Sequence, residues 1–244
     1  MPSLWFTVPV HGREKLARIC LRQLRRTCAA LAGRGVEATA VLIGEPQWRE
    51  VADEHGFGFV ERDNKFLSRK FNDGIQLACD PEFNPRPADY VMPCGSDDWI
   101  DHRILASLPA PDEVLCFNTI ALVRPDAREM AARRLDNAGG VGLRVYPRQV
   151  VALAGYRPAD EDKSRGCDTS MLINLRKSEV HFRLRYRSID PRQIVDWKSE
   201  DVQVTPYASV AWRKTRLIWD DPFTALEDFY PTEALEEMRG RYSW

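Results

Sequence analysis

Apolar residues fall into short blocks separated by polar, Gly- and Pro-containing turns, and in the first half of the chain two periodicities alternate. "LWFTVPV" (Leu4 to Val10) is a β-rich run that stops at His11-Gly12 and predicts a buried strand. From Glu14 to about Leu31, the apolar positions Leu16, Ile19, Cys20, Leu24 and Leu31 recur at helical spacing. The opposite face is largely Arg, and Gly33 and Gly35 end the helix. "ATAVLIG" predicts a second strand, Gln47 to His55 a short helix stopped by Gly56, and "GFGFVER" a third strand. "FLSRKFNDGIQLACD" reads as a helix with Phe71, Ile75, and Ala78 or Cys79 on one face. "ADYVMPC" and "EVLCFNTIALV" then predict a fourth and a fifth strand. This alternation predicts an α/β fold, a mostly parallel sheet with helices on both faces. Ligands of such sheets bind outside the carboxyl ends of the strands.

The second half is less regular. "RVYPRQVVALAGYRP" starts as a strand and continues as a short helix that Gly155 ends, and an acidic loop precedes "GCDTSMLINLRK". "VHFRLRYRSI" and "VTPYASVAW" are strand candidates, and the chain finishes as one or two helices broken at Pro231. No internal repeat or low-complexity linker divides the chain, and its 244 residues suit one large domain.

Composition narrows the class. Hydrophobic residues make up 44% and charged ones 29%, as in soluble globular proteins. A formal net charge of -1 provides no global field to select nucleic acid or an anionic membrane. The six cysteines are scattered without a CxxC pair, which fits reduced, packed thiols and a cytoplasmic setting better than a disulfide framework or zinc site. The N-terminus does not read as a signal peptide, and no apolar run approaches the ~18 residues of a membrane span.

Four constellations could carry chemistry. In "VMPCGSDDWIDHR", Asp97 and Asp98 stand side by side at the end of the fourth strand. Two adjacent carboxylates repel by about 1 kcal/mol at the surface and more if buried. Either one of them N-caps a helix starting near Trp99, which leaves the other unexplained, or both hold a hard divalent cation such as Mn2+ or Mg2+. "DNKFLSRKFNDG" gathers Lys65, Arg69, Lys70, Asn64, Asn72 and Asp73 at a helix start, a natural anion site or a solvated basic face. Asp168 in "SRGCDTSM" reads by itself as a helix cap. Arg183, Arg185 and Arg187 alternate along a strand, so their guanidinium groups share one face, with His181 beside them as a candidate metal ligand. That row suits a pyrophosphate or phosphorylated acceptor, or the wet side of an edge strand.

In order, "VPVHGR", an acidic end to the second strand, Asn64-x7-Asn72-x-Gly74, "GSDDW", Gly155-Tyr156 and "GCDTSM" resemble the GT-A-fold glycosyltransferases of the family-two type. These are inverting enzymes that use nucleotide-diphosphate sugars. The resemblance spans Leu4 to Leu175 and implies a Rossmann-like GT-A sheet with a less regular acceptor side. It divides a single domain into a nucleotide-sugar half (1–125), an acceptor half (126–220) and a helical tail (221–244). It also implies that Ser96, Asp97 and Asp98 form the metal- and diphosphate-binding cluster, with Gly95 where the family's leading Asp stands. The nucleotide pocket falls on Pro9, His11, Arg13, Glu45, Asp63, Lys70 and Asn72, although the family commonly has Asp where Glu45 stands. Asp168 becomes the base that deprotonates the acceptor hydroxyl, with Cys167 where the family has an acid. The acceptor stays open among a glycan, a surface polymer, a protein or a modified nucleic-acid base. Two rivals remain: a nucleotidyltransferase acting on a sugar phosphate, and a non-catalytic nucleotide-sugar-binding domain.

Overall fold

Strand β1 (Ser3–Pro9) runs through the middle of the larger sheet, and its near-continuous apolar sequence is what burial on both faces demands. The computed structural model describes residues 1–124, 129–134, 143–177, 181–197, 218–219 and 221–241. From β1 the chain passes through α1 (Glu14–Ala32) to β2 (Glu37–Gly44), then through α2 (Arg49–His55) to β3 (Gly58–Glu61). Helix α3 (Leu67–Cys79) carries it back to β4 (Tyr90–Pro93), on the other side of β1. These four strands are mutually parallel. Leu21, Leu24 and Leu31 of α1 pack with Leu4, Phe6 and Val8 of β1, while Ile75, Ala78 and Cys79 of α3 pack with Val91 of β4.

Asn72, Asp73 and Gly74, poor helix formers inside α3, serve to lock that helix down. A Cβ on Gly74 would lie 2.7 Å from Ile43 Cδ1 and 3.0 Å from Thr7 Cβ, so only glycine permits this close approach to the sheet. Asn72 donates to the Ala159 carbonyl at 2.8 Å and accepts from the Ala159 amide at 2.8 Å, while Asp73 pairs with Arg62 and Arg157.

Beyond β4 the structure departs from expectation. The residues after the aspartate pair form a strand, β5 (Asp98–Ile100), rather than a helix, and the following short 3₁₀ turn is capped by Asp101, which accepts from the Arg103 amide at 3.0 Å. Trp99 and Ile100 are buried in different cores: the alternation of an extended backbone sends Trp99 toward Trp197, while Ile100, on the face of Asp98, joins the core of the larger sheet. The run Glu113 to Val123 is two strands, β6 (Glu113–Phe117) and β7 (Thr119–Arg124), which part at Asn118 into different sheets. Then come β8 (Glu129–Arg134), β9 (Arg144–Pro147), α4 (Arg148–Ala152), α5 (Cys167–Lys177), β10 (Arg183–Arg187) and β11 (Ile194–Trp197). Strand β12 (Ile218–Trp219), α6 (Pro222–Leu226) and α7 (Thr232–Arg241) complete the described chain, with the helical break at Pro231 as predicted.

The seven-stranded sheet has the order β10-β6-β9-β4-β1-β2-β3, with β9 antiparallel to both its neighbours. A five-stranded, mostly antiparallel sheet, β12-β8-β7-β11-β5, was not foreseen. Phe223, Leu226, Leu235 and Met238 of the C-terminal helices, with Tyr230 from the turn between them, close over it, against Trp99 and Trp197. The two indole rings meet edge to face at 5.0 Å, and the Tyr230 hydroxyl donates to the Trp99 carbonyl at 3.3 Å and the Gln193 carbonyl at 3.1 Å. The tail thus holds β5 and β11 in place.

All six cysteines are buried free thiols. The strand expected at 204–212 and the basic cluster Arg213 to Arg216 lie outside the described residues. No helix among the described residues is long and apolar enough to cross a membrane.

Candidate active site

Strands β1, β2 and β3 advance in one direction across the sheet, and the chain then crosses back to β4 on the far side of β1. The switch point between β1 and β4 opens a crevice at their carboxyl ends, the position such sheets offer to ligands. A cavity of about 470 Å³ occupies it, a size suited to a small-molecule ligand. Pro9 at the end of β1, His11 and Arg13 after it, Ser96, Asp97 and Asp98 after β4, Lys70 of α3 and Asp168 of α5 all line this one space.

The acidic turn owes its shape to Gly95. Its amide donates to Asp98 Oδ2 at 2.5 Å, and a Cβ at this position would lie 2.5 Å from Asp97 Oδ1 and 3.0 Å from Asp98 Oδ2. Glycine is therefore what lets both carboxylates fold over the turn, and the absence of an acid at this position has a steric reason. Asp98 then enters β5 directly opposite Asp196 of β11, while the Trp197 amide donates to the Asp97 carbonyl at 3.0 Å. Asp97, Asp98 and Asp196 each offer a carboxylate oxygen, all within 4.8 Å of one another. Three hard, anionic oxygen donors from a turn and two paired strands fit a divalent cation of the Mg2+ or Mn2+ kind.

Asp196 escaped the sequence reading because it comes from a strand about a hundred residues downstream. A signal was present nonetheless. Asp-Trp occurs at 98–99 and again at 196–197, and in both cases the Trp joins the same aromatic core.

Arg13 Nη1 donates to Asp97 Oδ2 at 2.7 Å. Burial opposes the guanidinium's charge, but Asp97 and, more weakly, Asp196 hold its pKa above the ordinary value. On the other side, Lys70 is 1% exposed, donates to the Val10 carbonyl at 2.8 Å and lies 3.7 Å from Glu45. Burial pushes the Lys70 pKa down, with Glu45 opposing. His11 Nδ1 and Glu45 Oε1 are 2.6 Å apart, so Glu45 backs both His11 and Lys70 without itself lining the cavity.

Three other predicted residues do not line it either. Asn72 is committed to Ala159 and Glu161. Asp63 accepts from the Lys65 amide at 3.3 Å, and its neighbour Asn64 faces the cavity instead. His181 is exposed, two residues before β10 at the sheet edge, and is not part of the carboxylate cluster. The arginine row of β10 is the edge-strand alternative. Arg183 pairs with Asp112 and Glu113, Arg185 with Glu113, and Arg187 donates to the Ile104 and Ser107 carbonyls at 2.5 and 2.8 Å.

Asp168 stands in the first turn of α5, partly exposed to the cavity. Among the described residues its Oδ2 accepts no hydrogen bond, although Arg144 Nη1 lies 4.0 Å away. Arg144 is a second residue that sequence reasoning missed: a buried guanidinium on the cavity wall, where Tyr146, Cys116 and Asp168 outweigh burial and keep its pKa raised. Cys167 is a buried thiol pushed up to about 11, chiefly by burial, and supplies no charge beside Asp168.

No protein-family model matches this chain, and no curated protein matches its sequence. Among solved structures, the chain is similar to residues 1–349 of S. aureus TarS (TM-score 0.49, 14% identity, 77% of this chain and 60% of that one). It is also similar to a variant of Drosophila beta-1,4-galactosyltransferase 7 in complex with manganese, UDP-Gal and xylobiose (0.47, 13%, 77% and 65%). A third likeness is to the inositol-1-phosphate CTP transferase from T. maritima (0.44, 11%, 98% and 96%). The chain spans less than two thirds of the length of the first two. Glycosyltransferases and a nucleotidyltransferase thus appear side by side, and at such scores and identities these likenesses assign neither reaction nor substrate to this chain.

Proposed function

We propose that this protein is a metal-dependent glycosyltransferase that moves a sugar, with inversion, from a nucleotide-diphosphate donor to an acceptor hydroxyl. The observation that carries this reading is the convergence of Asp97, Asp98 and Asp196 on one cavity at the sheet's switch point, with Asp168 on its wall. Asp97, Asp98 and Asp196 hold a divalent cation, Mn2+ or Mg2+. That cation, when bound, supplies the positive charge that offsets the leaving diphosphate. Lys70, His11 and Glu45 line or back the side of the cavity that takes the nucleoside, and Arg13 lies between that side and the carboxylates.

Asp168 is the base. Its Oδ2 takes the proton of the acceptor hydroxyl as that oxygen attacks the anomeric carbon from the side opposite the diphosphate. Arg144 donates to the Asp168 carbonyl at 3.4 Å and holds the first turn of α5 at the cavity wall.

Incubation of the purified protein with Mn2+ and a panel of UDP- and GDP-sugars tests the proposal. Release of nucleoside diphosphate by the wild-type protein and its loss in Asp98→Asn is the expected result. Formation of pyrophosphate from a nucleoside triphosphate and a sugar 1-phosphate would instead make it a nucleotidyltransferase. Nucleotide-sugar binding without turnover over a broad acceptor panel would make it a binding domain.

A further inference from the structure

Arg13 occupies its position against three local preferences. Gly12 and Arg13 both have left-handed backbones, with φ of 55° and 43°. For glycine that conformation is ordinary, whereas for arginine it costs about 1 kcal/mol or more. Arg13 is also the N-cap residue of α1, a helix of 19 residues, yet its side chain makes no capping hydrogen bond. A cation at that end opposes the helix dipole, and the side-chain oxygen preferred there is missing. Finally, the side chain is only 12% exposed, so the charge is largely withdrawn from water.

All three penalties serve one contact, the 2.7 Å bond from Nη1 to Asp97 Oδ2. Strain of this kind concentrates where it serves function. Asp97 belongs to the trio of carboxylates within 4.8 Å of one another, so Arg13 partly neutralises a cluster of three negative charges.

From this arrangement, and resting on the metal-dependent reading above, we propose that Arg13 is an exchangeable internal counter-ion. It guards Asp97 until a divalent cation takes that carboxylate, and the released guanidinium then turns to the donor's diphosphate. The exchange is balanced in charge. The cation replaces the guanidinium at Asp97, and the guanidinium finds a planar, bidentate phosphate partner in the same cavity. Metal and diphosphate then favour each other through Arg13, because each relieves the contact that opposes the other. Arg13 is a positioning residue for the empty cluster and a binding residue for the loaded one.

The test uses Mn2+ alone, followed by the electron paramagnetic resonance signal of the free ion, with the full chain. Arg13→Gly relieves the backbone strain as it removes the guanidinium, and Arg13→Gln removes only the charge, so the pair separates folding from electrostatics. Both variants are expected to bind Mn2+ on the order of tenfold more tightly than the wild type, the scale of one nearby unit charge at high dielectric. Arg13→Lys, which keeps a cation, is expected to restore the weaker binding. With saturating Mn2+, both charge-removing variants are expected to bind UDP and GDP more weakly than the wild type.

Equal or weaker Mn2+ binding in Arg13→Gly and Arg13→Gln, with the wild type binding Mn2+, would overturn the counter-ion role and leave the metal site standing. Absence of Mn2+ binding in the wild type and in all three variants would remove the metal site and the counter-ion together.

Discussion

Replacing Gly95 by alanine probes the acidic turn with a single methyl group. The added Cβ would stand 2.5 Å from Asp97 Oδ1 and 3.0 Å from Asp98 Oδ2, where ordinary contact begins near 3.4 Å. Asp97 must therefore retreat by about 0.9 Å and Asp98 by about 0.4 Å. Both clashes are with the ends of short side chains rather than with packed backbone, so the fold has a way to yield. The Gly95 amide also holds Asp98 Oδ2 at 2.5 Å. Weakening a hydrogen bond to a charged group costs about 1.5–3 kcal/mol where it is lost outright. A partial loss lowers the melting temperature by only a few degrees in a chain of this size. Metal ligands tolerate far less, because their distances hold within about 0.2 Å. Gly95→Ala is thus expected to weaken Mn2+ binding by about 10- to 100-fold, the equivalent of 1.5–3 kcal/mol, with near-native thermal unfolding. Calorimetric titration of Mn2+, with a melting curve on the same preparation, reads both quantities. Wild-type Mn2+ affinity in a folded Gly95→Ala protein would refute the reasoning, because the carboxylates would then not need the space that glycine leaves.

Two further outcomes follow from the same geometry. Asp168→Asn removes the proton acceptor but keeps the shape, so turnover should fall by roughly 10²–10⁴-fold with nucleotide-sugar affinity unchanged; kinetics beside calorimetry would show whether binding falls instead. The buried thiols Cys28 and Cys79 are pushed up by burial to about 12, and Cys167 to about 11. Folded-state values above the ordinary thiol value mean that their stabilising contribution is complete below pH ~9 and lost as pH rises toward the folded values, because the unfolded chain ionises first. Each should remove about 1.4 kcal/mol of stability by pH 10, measurable by urea unfolding at pH 8 and pH 10 and diminished in Cys28→Ala.

The parallel half of the fold was legible because strands buried on both faces must be apolar runs and the intervening helices must be amphipathic. Leu4 to Val10 and Glu14 to Leu31 obey those requirements apart from the buried polar residues Thr7, Gln23 and Thr27. Legibility failed where local pattern and tertiary demand diverge. Asp97-Asp98-Trp99 reads locally as a cap and helix start, but burial of Trp99 against Trp197 and Tyr230 requires a strand. The break at Asn118 is marked only by the polar pair Asn118-Thr119 between two apolar runs, too short an interruption to separate one strand from two in different sheets.

At the site, the turn residues and Asp168 were readable as polar groups at strand and helix ends. Asp196 and Arg144 were not, because their roles depend on which strands pair. Asn72 misled in the opposite direction: a buried amide tying α3 to the Ala159 loop has the same sequence signature as one that faces a ligand.

The most direct test is calorimetric binding of a UDP- or GDP-sugar to the wild-type protein and to Asp98→Asn, each with Mn2+ and with EDTA. Asp98→Asn is close to isosteric and removes one charge from the carboxylate trio. The account predicts donor binding that needs Mn2+ in the wild type and is lost in Asp98→Asn, with unchanged circular dichroism. Donor binding of equal strength in EDTA, or in folded Asp98→Asn with Mn2+, would contradict it.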